Sequence, residues 1–177
     1  IANEKLVSSI AQDWEKNLYQ FILDWLNDED TITVKTSGST GTPKLIQLEK
    51  QKMVASALAT GRYFGFKQNK TALLCLPCAY IAGKMMVVRS FVWGLNLIAV
   101  NPSSNPLENI HTPITFSAMI PLQVIQSLTY HKSKLNQIEQ LIIGGGVVDS
   151  TLQAQLQTIN AMCFATYGMT ETITHIA

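Results

Sequence analysis

The run Thr36-Ser-Gly-Ser-Thr-Gly-Thr-Pro-Lys44 packs two glycines, two serines, three threonines, a proline and a lysine into nine residues. These residue types suit the holding of phosphate. Gly38 and Gly41 tolerate positive φ, so backbone N–H groups can turn toward an anion. Ser37, Ser39, Thr40 and Thr42 add hydroxyl donors, and Lys44 adds a point charge. The run is not a Walker loop, which needs Gly-Lys-Ser/Thr at the opening of a helix. Here Pro43 precedes Lys44, Leu45 follows it, and a β-rich stretch comes next. A flexible linker would join two folded units, but too few residues precede the run to form one. A short polar hairpin loop is the competing bland reading.

Other reactive residue types read as structural when taken singly. Glu171 alone is a helix first-turn charge favoured by the dipole. Gly144-Gly145-Gly146 alone is a strand-to-helix turn. His111 and His131 sit in loop-like, solvated contexts. Cys75-Leu-Pro-Cys78 has C-x-x-C spacing, yet no second pair completes a zinc site and Cys75 lies within the strand-like run TALLCLP. These thiols are expected to be buried and inert.

The elements must bring the reactive segments together. Of 177 residues, 47% are hydrophobic, enough for a core and too many for wholesale disorder. The net charge of +1, with scattered Lys and Arg, argues against a nucleic-acid surface. Apolar runs are interrupted by Lys84, Arg89 or Gly, so no membrane insertion is expected. Residues 1–10 include Glu4 and Lys5 and lack a signal-peptide core. Three cysteines in apolar segments fit a reduced, cytoplasmic compartment.

Apolar spacing predicts a helix over 7–26, with Ile10, Trp14, Leu18, Phe21, Ile22 and Trp25 on one face. Strands are predicted at 31–35, 44–49, 71–76, 95–100, 113–117, 140–143 and 161–165. Helices are predicted at 51–64, 82–93 (closed by Gly94), 121–130 (opened by Pro121) and from a cap at Asp149 or Ser150 to about 159. This alternation predicts an α/β fold with a largely parallel sheet flanked by helices. Ligands in such sheets gather at the carboxyl ends of strands. The phosphate-type loop, the triple glycine and the Tyr167 segment each follow a strand-like run.

The stretch from Thr36 to Lys44 resembles the phosphate loop of the adenylate-forming superfamily, with Leu45 in place of the usual Gly. Three later segments resemble that superfamily in the expected order. They are Leu76-Pro-Cys-Ala-Tyr80-Ile-Ala-Gly83, Ile143-Gly144-Gly145-Gly146 and Ala165-Thr166-Tyr167-Gly168-Met169-Thr170-Glu171-Thr172. The resemblance implies part of the large N-terminal, nucleotide-binding domain of an adenylate-forming ligase, covering 1–177. It implies that Thr36 to Lys44 hold the outer phosphates of ATP, that Gly144–Gly146, Tyr167, Gly168 and Met169 border the nucleotide, and that Thr170 donates to the α-phosphate. Glu171, with Thr40 close by, would hold Mg²⁺. Tyr80, Gly83 and His175 would border the acyl pocket. Lys44, Thr170 and Glu171 are the expected catalytic residues. Implied substrates are ATP, a carboxylic acid and coenzyme A.

The short front end and the Gly-Gly-Gly turn further resemble the compact o-succinylbenzoate–CoA ligases of menaquinone synthesis. That likeness is overall. No residue that reads the acid, and no ion pair for a second carboxylate, is recognisable in the sequence. The resemblance also implies that the small C-terminal domain, with the adenylation lysine, lies outside this chain, so the chain is expected to be inactive alone. Two alternatives stay open: an adenylation domain that loads a carrier protein, and a non-catalytic nucleotide-binding module.

Overall fold

A computed structural model describes residues 12–36 and 44–174. Helix α1, Asp13–Leu26, buries Phe21 fully and Leu18 nearly so. Residues 7–11 of the expected helix lie outside the described residues. Strands β1 (Thr31–Lys35) and β2 (Leu45–Glu49) form an antiparallel pair in register Lys35↔Leu45. The alternation of β1 sends Ile32 and Val34 inward and Thr31, Thr33 and Lys35 outward. The run from Thr36 to Lys44 therefore bridges the two strands of a hairpin. Helix α2, Lys50–Phe64, ends at Gly65, whose φ of 65° suits a residue without Cβ.

The main sheet has five strands: β3 (Thr71–Leu74), β4 (Asn96–Ala99), β5 (Ile114–Met119), β6 (Ile138–Ile143) and β7 (Met162–Ala165). Their order is β4-β3-β5-β6-β7, and every neighbouring pair is parallel. Helix α3 (Ile81–Trp93) connects β3 to β4, and α4 (Pro121–Tyr130) follows β5 with Pro121 in its first turn. A short helix α5, Lys132–Leu135, was not foreseen; α6, Ser150–Leu156, precedes β7. The expected α/β class and largely parallel sheet are what the chain adopts.

Each side of the sheet carries its own core. Ala72, Leu74, Phe116, Ala118 and Ile142 pack with α1, α2 and α3. Leu73, Met119, Leu141 and Ile143 face the opposite side with Val124 of α4 and Leu152 of α6. Successive residues of one strand thus enter different cores, which is why the strands read as unbroken apolar runs. Phe66 meets Phe116 edge-on at 4.7 Å, and Phe64 meets Phe164 at 5.0 Å. Such pairs add about 1 kcal/mol each beyond their burial. Helices α2 and α3 approach closely at Gly61, where any Cβ would overlap the Trp93 indole. Trp93 Nε1–H donates to the Ala57 carbonyl at 3.0 Å across that contact.

Boundaries moved where local hydrogen bonds intervened. Helix α6 stops at Leu156, short of 159. Thr158 N–H and its hydroxyl both turn back to the Gln155 carbonyl, at 3.0 and 2.7 Å, closing a tighter turn. Its start is as read: Asp149 Oδ1 accepts from Leu152 N–H at 2.8 Å. Strands β5 and β6 extend beyond the expected 113–117 and 140–143. Ladder pairs Ile114↔Ile138 and Met119↔Ile143 lengthen both. No helix among the described residues is long and apolar enough to cross a membrane.

Candidate active site

The strand order reverses direction between β3, which also pairs with β4, and β5, which leads on to β6 and β7. Open parallel sheets form a crevice at such a point. A cavity of about 340 Å³ lies there, walled by segments that follow four strands. Leu76 and Pro77 follow β3, Ile120 follows β5, Gly144 and Gly145 follow β6, and Thr166 follows β7. Gly168, Met169 and Thr170 complete the wall beyond β7, and Tyr80, just before α3, and Met85, within it, close the other side.

The glycines after β6 have steric reasons to be glycine. A Cβ on Gly144 would come within 2.8 Å of Thr166 Oγ1. Gly145 has φ 74°, and a Cβ there would press on Ile120 Cγ2 at 3.3 Å. Gly146 passes Pro121 with a similar clearance of 3.2 Å but does not line the cavity. The strand-to-helix turn and the cavity wall are one structure, so Gly144 and Gly145 serve the turn and line the cavity at once.

Of the expected site residues, Tyr80, Gly144, Gly145, Gly168, Met169 and Thr170 line this cavity. Thr170 is buried, while Tyr167 and Glu171 are exposed beside it in the chain and outside the lining. Gly83 is also outside the lining. It lies against the Pro77 carbonyl, where a Cβ would collide with backbone. Lys44 is exposed, and its backbone is tied down. Lys44 N–H donates to Thr36 Oγ1 and Thr36 N–H donates to the Lys44 carbonyl, both at 2.9 Å. These bonds clamp the base of the loop. Ser37, Gly38, Ser39, Thr40, Gly41 and Thr42 lie outside the described residues, as does His175.

Arg89 was not singled out from the sequence as a site residue. It is 2% exposed and lines the cavity. Its Nη2 donates to Thr174 Oγ1 at 2.8 Å, and Nη1 lies 3.7 Å from Met86 Sδ. Its Nε has no hydrogen-bond partner among the described residues. Burial draws the guanidinium pKa down to about 10, so it remains cationic at neutral pH. The ion pairs found among the described residues, Lys16–Asp13 and Lys52–Glu49, leave Arg89 without a carboxylate partner. A buried, uncompensated charge costs several kcal/mol. At a cavity wall, a buried cation without a carboxylate partner is a candidate for binding an anion. One signal was available: Arg89 is a charge inside the apolar helical run Met85–Val92.

The model of the AMP-binding enzyme family matches residues 6–177. The chain belongs to that family. Among curated relatives, the 2-succinylbenzoate–CoA ligase of Staphylococcus epidermidis is 28% identical over 140 residues, covering 77% of this chain and 30% of the relative. The enzyme of the same name from Escherichia coli is 28% identical over 136 residues, covering 77% and 29%. An acyl-CoA synthetase (AMP-forming)/AMP-acid ligase II-like protein from Dyadobacter fermentans has a crystal structure with TM-score 0.87 and 32% identity, over 98% of this chain and 50% of that one. O-succinylbenzoate coenzyme A synthetase from Bacillus subtilis, in complex with ATP and magnesium ion, shares the fold at TM-score 0.73 and 23% identity, over 82% and 31%. The chain spans roughly a third of the length of these curated relatives. As an AMP-binding family member, it carries that fold's parallel sheet, with the cavity at its strand ends.

Proposed function

We propose that this chain is the ATP- and AMP-binding part of an acid–CoA ligase, and that the acid is o-succinylbenzoate. A carboxylate oxygen of the acid attacks the α-phosphorus of ATP, and the bond to the pyrophosphate oxygen breaks. The thiol of coenzyme A, losing its proton, then attacks the acyl carbon and releases AMP. The first step sets an anion against an anion, so the protein must neutralise charge and align the partners. Lys44 and the loop Thr36 to Thr42 hold the outer phosphates. Thr170 donates to the α-phosphate from the cavity wall. Gly144, Gly145 and Tyr167 to Met169 border adenosine, and Tyr80 and His175 border the acid, while Gly146 and Gly83 serve the packing behind them.

No group of three metal-ligating side chains exists among the described residues. That suits Mg²⁺, which takes one or two carboxylates, substrate phosphates and water in preference to a protein cage. Glu171, with Thr40, is the carboxylate that would hold it. Bound there, the ion would neutralise phosphate charge.

The observation that carries the choice of acid is Arg89. An acid with one carboxylate spends it on the phosphorus. A buried guanidinium in the same cavity calls for a second one, and o-succinylbenzoate has two. The names of the curated relatives support the same reading. The test is thiol-dependent AMP release by the full-length protein with o-succinylbenzoate, benzoylpropionate (the same acid without the ring carboxylate) and fatty acids. Turnover should favour o-succinylbenzoate, and Arg89→Met should raise its KM by roughly tenfold or more, the worth of a charged hydrogen bond. Activity on a fatty acid with none on o-succinylbenzoate would remove the narrow assignment and keep the broad one. Acyl transfer to a carrier protein in place of coenzyme A would select the carrier-loading alternative.

A further inference from the structure

We propose that Thr174 is the positioning residue that aims Arg89 at the acid's second carboxylate; this rests on the reading of Arg89 given above. Thr174 Oγ1 accepts from Arg89 Nη2 at 2.8 Å. A neutral acceptor fixes one edge of the guanidinium without cancelling its charge. An aspartate there would hold it as well and neutralise it. Nε has no partner among the described residues, and Nη1 has only the weak Met86 sulfur acceptor. Each parallel fork of a guanidinium includes Nη2, which carries a second N–H, so the donors that Thr174 leaves unused still match the two oxygens of a carboxylate.

The backbone that presents Thr174 is held in an unfavourable form. Ile173 has φ 70°, which a β-branched residue adopts at a cost of about 1–2 kcal/mol. Its side chain is buried in the core shared with α1 and α3, which offsets that cost. Thr172 clamps the turn on the other side. Its hydroxyl accepts from Met169 N–H at 3.0 Å and donates to the Thr174 carbonyl at 2.8 Å. Ile173 N–H returns to the Thr170 carbonyl at 3.0 Å. One tight turn thus carries Thr170 and Glu171 on the nucleotide side and the acceptor for Arg89 on the acid side. Strained backbone that persists because its surroundings over-determine it is typical of ligand clamps.

The test is steady-state kinetics of the full-length protein with o-succinylbenzoate, benzoylpropionate and ATP varied in turn. Thr174→Val should raise the KM for o-succinylbenzoate about tenfold, the worth of one hydrogen bond to a charged group, and leave its kcat within about twofold. The KM values for benzoylpropionate and ATP should move by less than about twofold, because neither substrate uses the guanidinium. Thr174→Ser, which keeps the oxygen, should restore tight o-succinylbenzoate binding, and Thr174→Ala serves as a second truncation if the valine variant does not fold. Equal losses for both acids, or a serine variant no better than valine, would overturn the positioning role. If Arg89→Met raises the KM and Thr174→Val does not, the positioning role falls and the Arg89 reading stands. If Arg89→Met changes neither acid, the reading of the acid falls first and takes the positioning role with it.

Discussion

At the scale of single residues, Lys44 and Arg89 are two cations with opposite histories. Lys44 announces itself by the company it keeps in the sequence, and the structure adds that its backbone is locked to Thr36 by a reciprocal pair of hydrogen bonds. The ammonium is exposed and the loop base is rigid, a geometry that can present a charge to the outer phosphates of a nucleotide. Lys44→Ala should therefore weaken ATP binding by roughly tenfold or more and leave AMP affinity nearly unchanged, measured by titration calorimetry with each nucleotide. Equal loss of both would mean that the loop faces another part of the ligand. Arg89 carries no motif. Its meaning comes from being buried at a cavity wall with a hydroxyl, a sulfur and the Phe116 ring for company and no acid, and burial cannot be read from a spacing.

At the scale of elements, the close pass of α2 over α3 depends on Gly61. In an exposed helix, Gly→Ala gains about 1 kcal/mol from propensity. At Gly61 the new methyl would overlap the Trp93 indole and push it off the Ala57 carbonyl. Overpacking of this kind costs about 1–3 kcal/mol and leaves an indole N–H to be re-satisfied, so the steric term wins. Gly61→Ala should lower the urea midpoint, and pairing it with Trp93→Leu should recover part of the loss; a stabilised single variant would show that the helices can separate freely. Most elements were legible because caps and breakers are local. Gly94 closes α3, Pro121 opens α4 and Asp149 caps α6. Strand ends were misjudged where partners distant in sequence set them, as in the ladder extension of β5 against β6, and the end of α6 where a tight local turn at Thr158 cut it short.

At the scale of the whole molecule, the three thiols and Lys84 record how far burial reaches. Burial pushes Cys75 and Cys78 up to about 12 and Cys163 to about 11. All three are free thiols, and the inert reading of the C-x-x-C spacing agrees with this burial. Above pH 9 the unfolded chain ionises its thiols while the folded chain keeps them protonated, so the unfolded state binds fewer protons and stability falls as pH rises. Lys84 acts with the opposite sign. Burial lowers its pKa against the weaker pull of Cys78 and Asp24, so the folded chain sheds that proton before the unfolded one. Urea midpoints should therefore decline from pH 9 toward 11, and Lys84→Met should steepen the decline. A flat profile in the Lys84→Met variant, where the opposing lysine is gone, would contradict the burial of the thiols.

The amino-acid sequence by itself determined the class of fold, the order of its elements and the two segments, Thr36 to Lys44 and Tyr167 to Thr172, that mark the family. Period, caps and motif residues are properties of neighbours along the chain, and they survive without coordinates. Only the tertiary structure decided which of those residues share a wall. It put Thr170, Gly144 and Tyr80 around one cavity, left Gly146 and Gly83 to packing, and brought Arg89 within 2.8 Å of Thr174 across a separation of 85 positions. The reason is physical. Burial strips a charge of water and of alternative partners, and that loss is what sets Arg89 apart from an ordinary arginine. It exists only once the sheet has closed over it.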